Sequence, residues 1–284
     1  DSHTHPVFYN KRDEEYAIRL AGASYEEIAE KGGGIVSSVD GVRKASKEEL
    51  IEKVSSRMDR FISMGTTTIE AKSGYGLDTD SELKSLEVID AVNQSHDIDM
   101  VPTFMGAHAF PKEFFDNHDA YVDIICDEMI PAVAKQGIAQ FNDVFCEGGY
   151  FTAEQSKRIL ETGQKYGLKP RLHADEFVHS GAAELAGEVG VFSADHLMAV
   201  SESGIQALAA KNIVATLLPG TIFFLGKSFY APARKLIEAG ITVALATDFN
   251  PGSCHIQSMP FIITLAIMHM GMTVEEAFQS ATYN

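Results

Sequence analysis

The stretch SKEELIEKVSSRMDRFISMGTTTIEAK (Ser46–Lys72) contains one complete helix followed by one strand, and this unit decides the fold. Ser46 with Glu49 three residues later is a helix-capping pattern, and Gly65 is typical of a helix end. Between them, apolar residues recur at the spacing of an amphipathic helix. The β-branched run after Gly65 predicts a buried strand, so the unit predicts a helix that packs beside a strand.

The same alternation of helix and strand continues through the whole chain. One strand precedes this unit, in residues 1–8, and six more follow it with helical segments between them: 98–108, 141–148, 168–176, 192–197, 213–219 and 241–252. We interpret these strands as apolar on both faces, as parallel strands covered by helices are. Eight such strands predict an α/β fold, a single (β/α)8 TIM barrel over residues 1–284.

The competing architecture is an open, doubly wound sheet, which carries a glycine-rich dinucleotide fingerprint after a strand. The glycine run KGGGI (Lys31–Ile35) lacks the G-x-G-x-x-G spacing and does not join a predicted strand to a helix. We interpret it as a flexible turn, or as a loop that closes over a ligand. The barrel is therefore the favoured fold.

The composition limits the classes of partner. The net charge of −17 argues against nucleic acids and anionic membranes, and no apolar run reaches the length of a membrane span. The three cysteines lack CxxC spacing and do not suggest a disulfide framework. We therefore expect a cytoplasmic protein, and the start at Asp1 suggests a cut within a longer chain.

Polar and ionisable side chains gather where the predicted strands end. Because barrel enzymes carry their active sites at the carboxyl ends of the strands, we expect these side chains to share one site. They are His3 and His5 on the first strand, His108 on the third, His173 and Glu176 on the fifth, His196 on the sixth, and Asp248 and Asn250 on the eighth.

The His-x-His pair at the start of the chain suggests a metal site. Residues i and i+2 of a strand face the same side, so His3 and His5 both point into the barrel mouth. Imidazoles with one carboxylate suit zinc or iron, and His173 and Asp248 would complete such a set. The alternative is that hydrogen bonds alone satisfy these buried polar groups, which would leave a large desolvation cost.

Four motifs at these strand ends, DSHTH, HADE, SADHL and ATDFNPG, resemble the amidohydrolase superfamily. Three more, EAKSGYGL, PTFMGAHAFP and FCEGGYFT, resemble the branch that hydrolyses the ring amide of 4-imidazolone-5-propanoate to N-formimidoyl-L-glutamate in histidine degradation. The resemblance implies a metal-dependent barrel with a further small β-rich domain. Neither part of that domain is in this sequence, so we expect a barrel fragment truncated at both ends.

The resemblance also implies one zinc or iron ion per chain, held by His3, His5, His173 and Asp248. Many relatives bridge two metals with a carboxylated lysine on the fourth strand, whereas DVFCEG has no lysine there, which favours one ion. Glu176 is placed to act as general base, or alternatively to orient a histidine ligand. His196 is placed to stabilise an oxyanion, or alternatively to act as a further ligand.

The propionate tail of that substrate requires a cation, and arginine binds carboxylates through two charge-assisted hydrogen bonds. The resemblance assigns this role to Arg12, aided by Tyr75, and Tyr25 is a further candidate. It assigns further substrate contacts to His108, Glu176, Asn250, Gly252 and Ser253. From the sequence alone, Arg12 within NKRDEE would instead be a surface ion pair.

Two other functions remain open at this point. A cytosine- or guanine-type deaminase would use a similar metal set and glutamate, but a neutral base does not require Arg12 and Tyr75. A barrel that only binds a ligand would not require Glu176 and His196. We therefore expect a hydrolase with a small-molecule substrate, and the resemblance implies a homodimer.

Overall fold

A computed structural model describes residues 1–21 and 34–284. Tyr25 and the run Lys31–Gly33 lie outside the described residues. No helix in the described part of the chain is long and apolar enough to cross a membrane.

Seven parallel strands form one sheet, and each strand pairs with the next one in chain order. The strands β1 to β7 are Thr68–Lys72, Asp99–Ala107, Phe141–Cys146, Lys169–Ala174, Ser193–His196, Val214–Leu217 and Val243–Leu245. Each lies within one of the predicted strands but is shorter than it. The remaining predicted strand, at the start of the chain, is not part of this regular ladder.

The N-terminal segment closes the sheet into a barrel. Thr4 forms parallel bridges to Ala71 of β1 on one side and to Phe249, beyond β7, on the other. The amide of Lys72 donates to the carbonyl of Thr4 at 3.0 Å, and the amide of His5 donates to the carbonyl of Phe249 at 2.8 Å. The segment therefore acts as an eighth barrel strand, and the predicted (β/α)8 architecture is confirmed.

Helices connect successive strands and cover the barrel. Helices α1 to α13 are Asp13–Leu20, Ile35–Lys44, Lys47–Ser63, Thr79–Ser95, His118–Ile124, Ile130–Gln136, Ala153–Lys165, Ala182–Val189, Glu202–Ala210, Pro219–Phe224, Ala233–Glu238, Met259–Met270 and Val274–Thr282. In α3 the capping box predicted for Ser46 and Glu49 is present, and the helix buries Leu50, Val54, Met58 and Phe61. No prediction covered α1, α2, α10 or α13.

The helical segment between β2 and β3 changes its hydrogen bonding near Pro131. A π-helical turn, Ile125–Met129, separates α5 from α6, and Pro131 follows at the start of α6. Proline has no amide hydrogen to donate to the preceding turn, so regular α-helical bonding is interrupted near it.

The prediction that the strands are apolar on both faces is wrong for the face that points into the barrel. Five charged residues of the strands are buried there: Glu70, Lys72, Asp143, Arg171 and Asp195. Each lies near an opposite charge, which is the condition under which charged side chains are tolerated inside proteins. The interior of the barrel is therefore partly ionic.

Arg57 of α3 ties its helix to the closing segment, and we expect its loss to destabilise the protein. Its Nη1 donates to the carbonyls of Pro6 and Phe8 at 2.8 Å each, and the guanidinium lies over the Phe8 ring. Arg57→Met should lower the free energy of unfolding by about 2 kcal/mol, the contribution of hydrogen bonds to a charged group. Arg60→Met, on an exposed position of the same helix, should change it by less than about 0.5 kcal/mol. Equal urea midpoints for the two variants would contradict this role of Arg57.

Candidate active site

The four predicted metal ligands lie close together at the barrel mouth. Nε2 of His5 lies 3.2 Å from Nε2 of His3 and 3.4 Å from Nε2 of His173. Oδ1 of Asp248 lies 3.5 Å from Nε2 of both His3 and His5. Two ligands bound at about 2.0–2.1 Å to a tetrahedral ion are themselves about 3.4 Å apart, so these separations fit one shared ion.

Buried carboxylates set the orientation of two of the imidazole rings. Nδ1 of His3 lies 2.6 Å from Oδ2 of Asp195, and Nδ1 of His173 lies 3.0 Å from Oδ1 of Asp143. Since ionised carboxylates only accept hydrogen bonds, each Nδ1 carries the hydrogen and each Nε2 presents a lone pair. Burial, aided by the charge of Lys72, holds the pKa of both histidines well below the usual value, so the rings are neutral.

Cations on the strands hold these carboxylates in turn. Nζ of Lys72 donates to Asp143 at 2.7 Å and to Glu70 at 2.8 Å. Arg171 donates to Asp195 at 2.8 Å, and although burial alone would raise the pKa of Asp195, the nearby Arg171 and Lys72 lower it to about 2. None of these five residues was among the predicted site residues. The charged positions at i and i+2 within strands, such as Glu70 and Lys72, were the available signal.

The fourth ligand, Asp248, lacks a cationic partner among the described ion pairs. The Thr221 hydroxyl donates to its Oδ2, which leaves Oδ1 facing His3 and His5. Burial raises the pKa of Asp248 to about 7, because a carboxylate enclosed by neutral imidazoles is poorly stabilised. Nδ1 of His5 also has no hydrogen-bond partner among the described residues. The Nε2 lone pairs of His3 and His173, together with the His5 imidazole and the Asp248 carboxyl group, form a donor set that suits a divalent metal.

Backbone strain is concentrated at the strand ends around this point. Asp175, His196 and Asp248 have φ values of 49°, 80° and 55°, in the left-handed region that non-glycine residues rarely adopt. They follow or end β4, β5 and β7. Such conformations persist only where the surrounding contacts enforce them, and they are concentrated at functional sites.

Glu176 and His196 lie beside the predicted ligands and are both buried. Oε2 of Glu176 is 3.6 Å from Nε2 of His196. Burial, together with Asp248 and Glu147, raises the pKa of Glu176 well above its usual value, and burial lowers that of His196 to about 3. Neither ring nitrogen of His196 has a hydrogen-bond partner in the described part of the chain. His196 also groups with His3 and Asp248 at ligand distances, so the geometry leaves open both roles predicted for it.

A cavity of about 470 Å³ opens over the predicted ligands. The structure brings all the predicted substrate-binding residues in the described ranges to its wall: Arg12, Tyr75, His108, Glu176, Asn250, Gly252 and Ser253. Tyr150 and Phe145 add aromatic surface, and Lys227 lies on the rim. The site therefore combines a compact metal-like donor set with a cavity large enough for a small ligand.

Arg12 combines the two alternatives considered for it. Its Nε donates to Glu15 at 2.7 Å, which is the ion pair expected from NKRDEE. The same guanidinium lines the cavity and packs against Gly252, where an added Cβ would lie 2.4 Å from Nη1. A larger residue at position 252 would therefore displace the arginine from this position.

His108 and Asn250 contribute to the cavity in different ways. Nδ1 of His108 donates to the carbonyl of Gly74 at 2.9 Å, and burial lowers its pKa to about 4, so Nε2 is a free acceptor in a neutral ring. The ring stacks on His5 at 4.9 Å. Asn250 uses its side-chain amide within the turn: Oδ1 accepts from the amides of Gly252 and Ser253, and Nδ2 donates to Asp248 and Ser253. Asn250 therefore shapes the cavity wall by holding this turn.

Solved structures with the same barrel fold include several deaminases. One is 5-methylcytosine deaminase from Klebsiella pneumoniae, with a TM-score of 0.74, 15% identity, and coverage of 99% of this chain and 71% of that one. Another is an adenosine deaminase from Xanthomonas campestris with bound zinc, with a TM-score of 0.70, 15% identity, and coverage of 99% and 64%. At these identities the likeness shows the fold alone.

Sequence relatives are much closer. The imidazolonepropionase of Geobacillus sp. is 52% identical and that of Alkaliphilus metalliredigens 49% identical, over all 284 residues. This chain spans 67% of the length of each relative. No family model matches the sequence. At this identity and coverage, the chain belongs to the imidazolonepropionase family of amidohydrolases.

Proposed function

We propose that this barrel hydrolyses the ring amide of 4-imidazolone-5-propanoate and yields N-formimidoyl-L-glutamate. The observation that carries the proposal is the clustering of three Nε2 atoms and one carboxylate oxygen, with His5 3.2–3.5 Å from the other three and His3 3.5 Å from Asp248, beneath a cavity that contains an arginine. The first group suits a hydrolytic metal and the second suits a substrate with a carboxylate tail. The identity of about 50% to imidazolonepropionases supports the same reaction.

One zinc or iron ion would be held by His3, His5, His173 and Asp248. When bound, such an ion polarises a carbonyl oxygen and lowers the pKa of water toward about 7. Lys72, the buried lysine nearest the ligands, is ion-paired with Glu70 and Asp143, which leaves it unsuited to bridge a second ion. The donor set therefore supports a single ion per chain.

Glu176 would move the protons of the reaction. Its carboxyl group accepts a proton from the attacking water and returns it to the departing ring nitrogen. A raised pKa suits this exchange, because a buried glutamate can hold the proton between the two steps. Glu176 lines the cavity together with His5, His173 and Asp248, which supports the general-base role over the orienting one.

His196 would stabilise the oxygen on which negative charge develops. A neutral imidazole donates from one nitrogen, and neither nitrogen of His196 is engaged by another described group. A donor that is already positioned in a buried site stabilises the charge without reorganising during the reaction.

Arg12 and Tyr75 would bind the propionate tail. Glu15 holds Nε of Arg12, so the two terminal nitrogens of the guanidinium would contact the carboxylate. The turn that contains Gly252 and Ser253 lies against this arginine, and Nε2 of His108 would accept a hydrogen bond from a ring N–H. The cytosine- or guanine-type deaminase is less well supported, since a neutral base offers no carboxylate to the terminal nitrogens of Arg12.

The reaction can be tested with the full-length protein and imidazolone propionate. We expect loss of the substrate's ultraviolet absorbance and formation of N-formimidoyl-glutamate without ammonia. Chelation should abolish turnover, addition of zinc or iron should restore it, and metal analysis should give about one ion per chain. Release of ammonia would instead show deamination, and binding without turnover would identify a non-catalytic barrel.

Glu176→Gln should lower kcat by roughly 10²–10⁴-fold, because it removes the group that transfers protons. Metal content should be unchanged, since Glu176 is not among the proposed ligands. Glu161→Gln, on the partly exposed surface of α7, is the matched control and should keep wild-type kinetics. Wild-type turnover in Glu176→Gln would exclude the glutamate from the mechanism.

Arg12→Ala should raise KM by roughly 10- to 100-fold, the range expected for lost hydrogen bonds to a charged group. Metal content should not change. The decisive comparison uses a substrate analogue without the propionate. On this analogue, wild type and Arg12→Ala should have the same KM. If Arg12→Ala raises KM by the same factor for both compounds, Arg12 does not bind the tail.

A further inference from the structure

Glu147, directly after β3, is a buried carboxylate outside the set of predicted site residues. Its Oε1 accepts from the amide of Gly148 at 2.8 Å and from that of Val178 at 3.3 Å. Its Oε2 accepts from the amide of Phe177 at 2.9 Å. One side chain thus binds the end of β3 to the loop after β4.

Two of these amides directly follow Glu176 in the chain. The N–H of Phe177 belongs to the rigid peptide plane that begins at Cα of Glu176, so fixing this N–H fixes the direction of the Glu176 backbone. Asp175 anchors the loop further along, because its oxygens accept from the amides of Ser180 and Ala183 at 2.8 and 3.1 Å. The backbone around Glu176 is therefore held by two carboxylates, Glu147 and Asp175.

We propose that Glu147 is a positioning residue for proton transfer, and that it acts by holding the Phe177–Val178 backbone so that the Glu176 carboxyl group stays beside the reacting atoms. This inference deepens the proposed function and rests on the role given there to Glu176. A misplacement of about 1 Å at a reacting group can reduce the rate by about 10²-fold, so such an anchor has a measurable effect.

Glu82 of α4 offers a matched comparison within the same molecule. It is also buried, and it accepts from the amides of Gly74, Gly76 and Leu77 at 2.8–3.2 Å. The loop that it holds contains Tyr75, and Gly74 of this loop accepts the hydrogen bond of His108. Both glutamates therefore hold a backbone loop in place at the cavity. The loop held by Glu147 serves proton transfer, and the loop held by Glu82 serves substrate binding.

Substitution of Glu147 and of Glu82 by glutamine should affect different kinetic constants. Glutamine keeps the volume but has one acceptor oxygen, so it cannot serve both sets of amides that Glu147 binds. Glu147→Gln should lower kcat by roughly 10- to 100-fold with little change in KM. Glu82→Gln should mainly raise KM. If both glutamates only stabilised the fold, the two variants would shift kcat and KM in the same way.

A double-mutant cycle tests whether Glu147 acts through Glu176. In the full-length protein with a Glu176→Gln background, adding Glu147→Gln should produce no further loss of kcat, because the group that it positions is already absent. An additive loss in the double variant would overturn the proposal, as would wild-type kcat in Glu147→Gln alone.

Two controls keep the outcomes distinct. If Glu147→Gln fails to fold, Glu147→Asp takes its place in the same cycle, because it retains an acceptor-only carboxylate at a shorter reach. If the wild-type protein itself does not hydrolyse imidazolone propionate, the proposed function is wrong, and with it the role of Glu147 that rests on it. Activity in the wild type with unaffected Glu147 variants overturns only the positioning role.

Discussion

The orientation of the histidine rings by buried carboxylates is the constraint on which the site depends. Asp195 accepts a hydrogen bond from Nδ1 of His3, and Asp143 accepts one from Nδ1 of His173. The Nε2 lone pairs of both rings are therefore directed toward the space beside His5 and Asp248. A cation bound among the Nε2 lone pairs of His3 and His173, the His5 imidazole and the Asp248 carboxyl group would compensate the desolvation of these buried groups. The arrangement is therefore prepared for an ion and must be stabilised from elsewhere in the fold.

That stabilisation comes from the ionic part of the barrel interior. Lys72 and Arg171 compensate the carboxylates that hold the rings, and Glu70 compensates Lys72 in turn. Removing one member of such a set would leave a buried charge without a partner, which is far more destabilising than losing a surface ion pair. The site also depends on closure of the barrel, because His3 lies on the segment that joins β1 to the strand end beyond β7.

The barrel and the four proposed ligands could be predicted because they follow from local rules. Strand alternation gives the barrel, and the two-residue period of a strand aligns His3 with His5. The supporting charges were missed because their pairing depends on the register between neighbouring strands. That register places Asp195 opposite His173, although Asp195 holds His3 and Arg171. Helix α13 was missed despite its capping box at Thr273, whereas nothing as specific marked α2.

The buried carboxylates of this molecule accept hydrogen bonds from different kinds of donor, and that difference separates structural from chemical roles. Asp143 and Asp195 accept from imidazoles and cations, while Glu82 and Glu147 accept from backbone amides. The oxygens of these carboxylates are thus engaged in holding side chains and backbone in place. Glu176 accepts no hydrogen bond from the residues that the structure describes; the nearby imidazole of His196 lies 3.6 Å away. Burial without donors raises its pKa, so Glu176 is the carboxylate beside the ligands best suited to take up a proton and release it again.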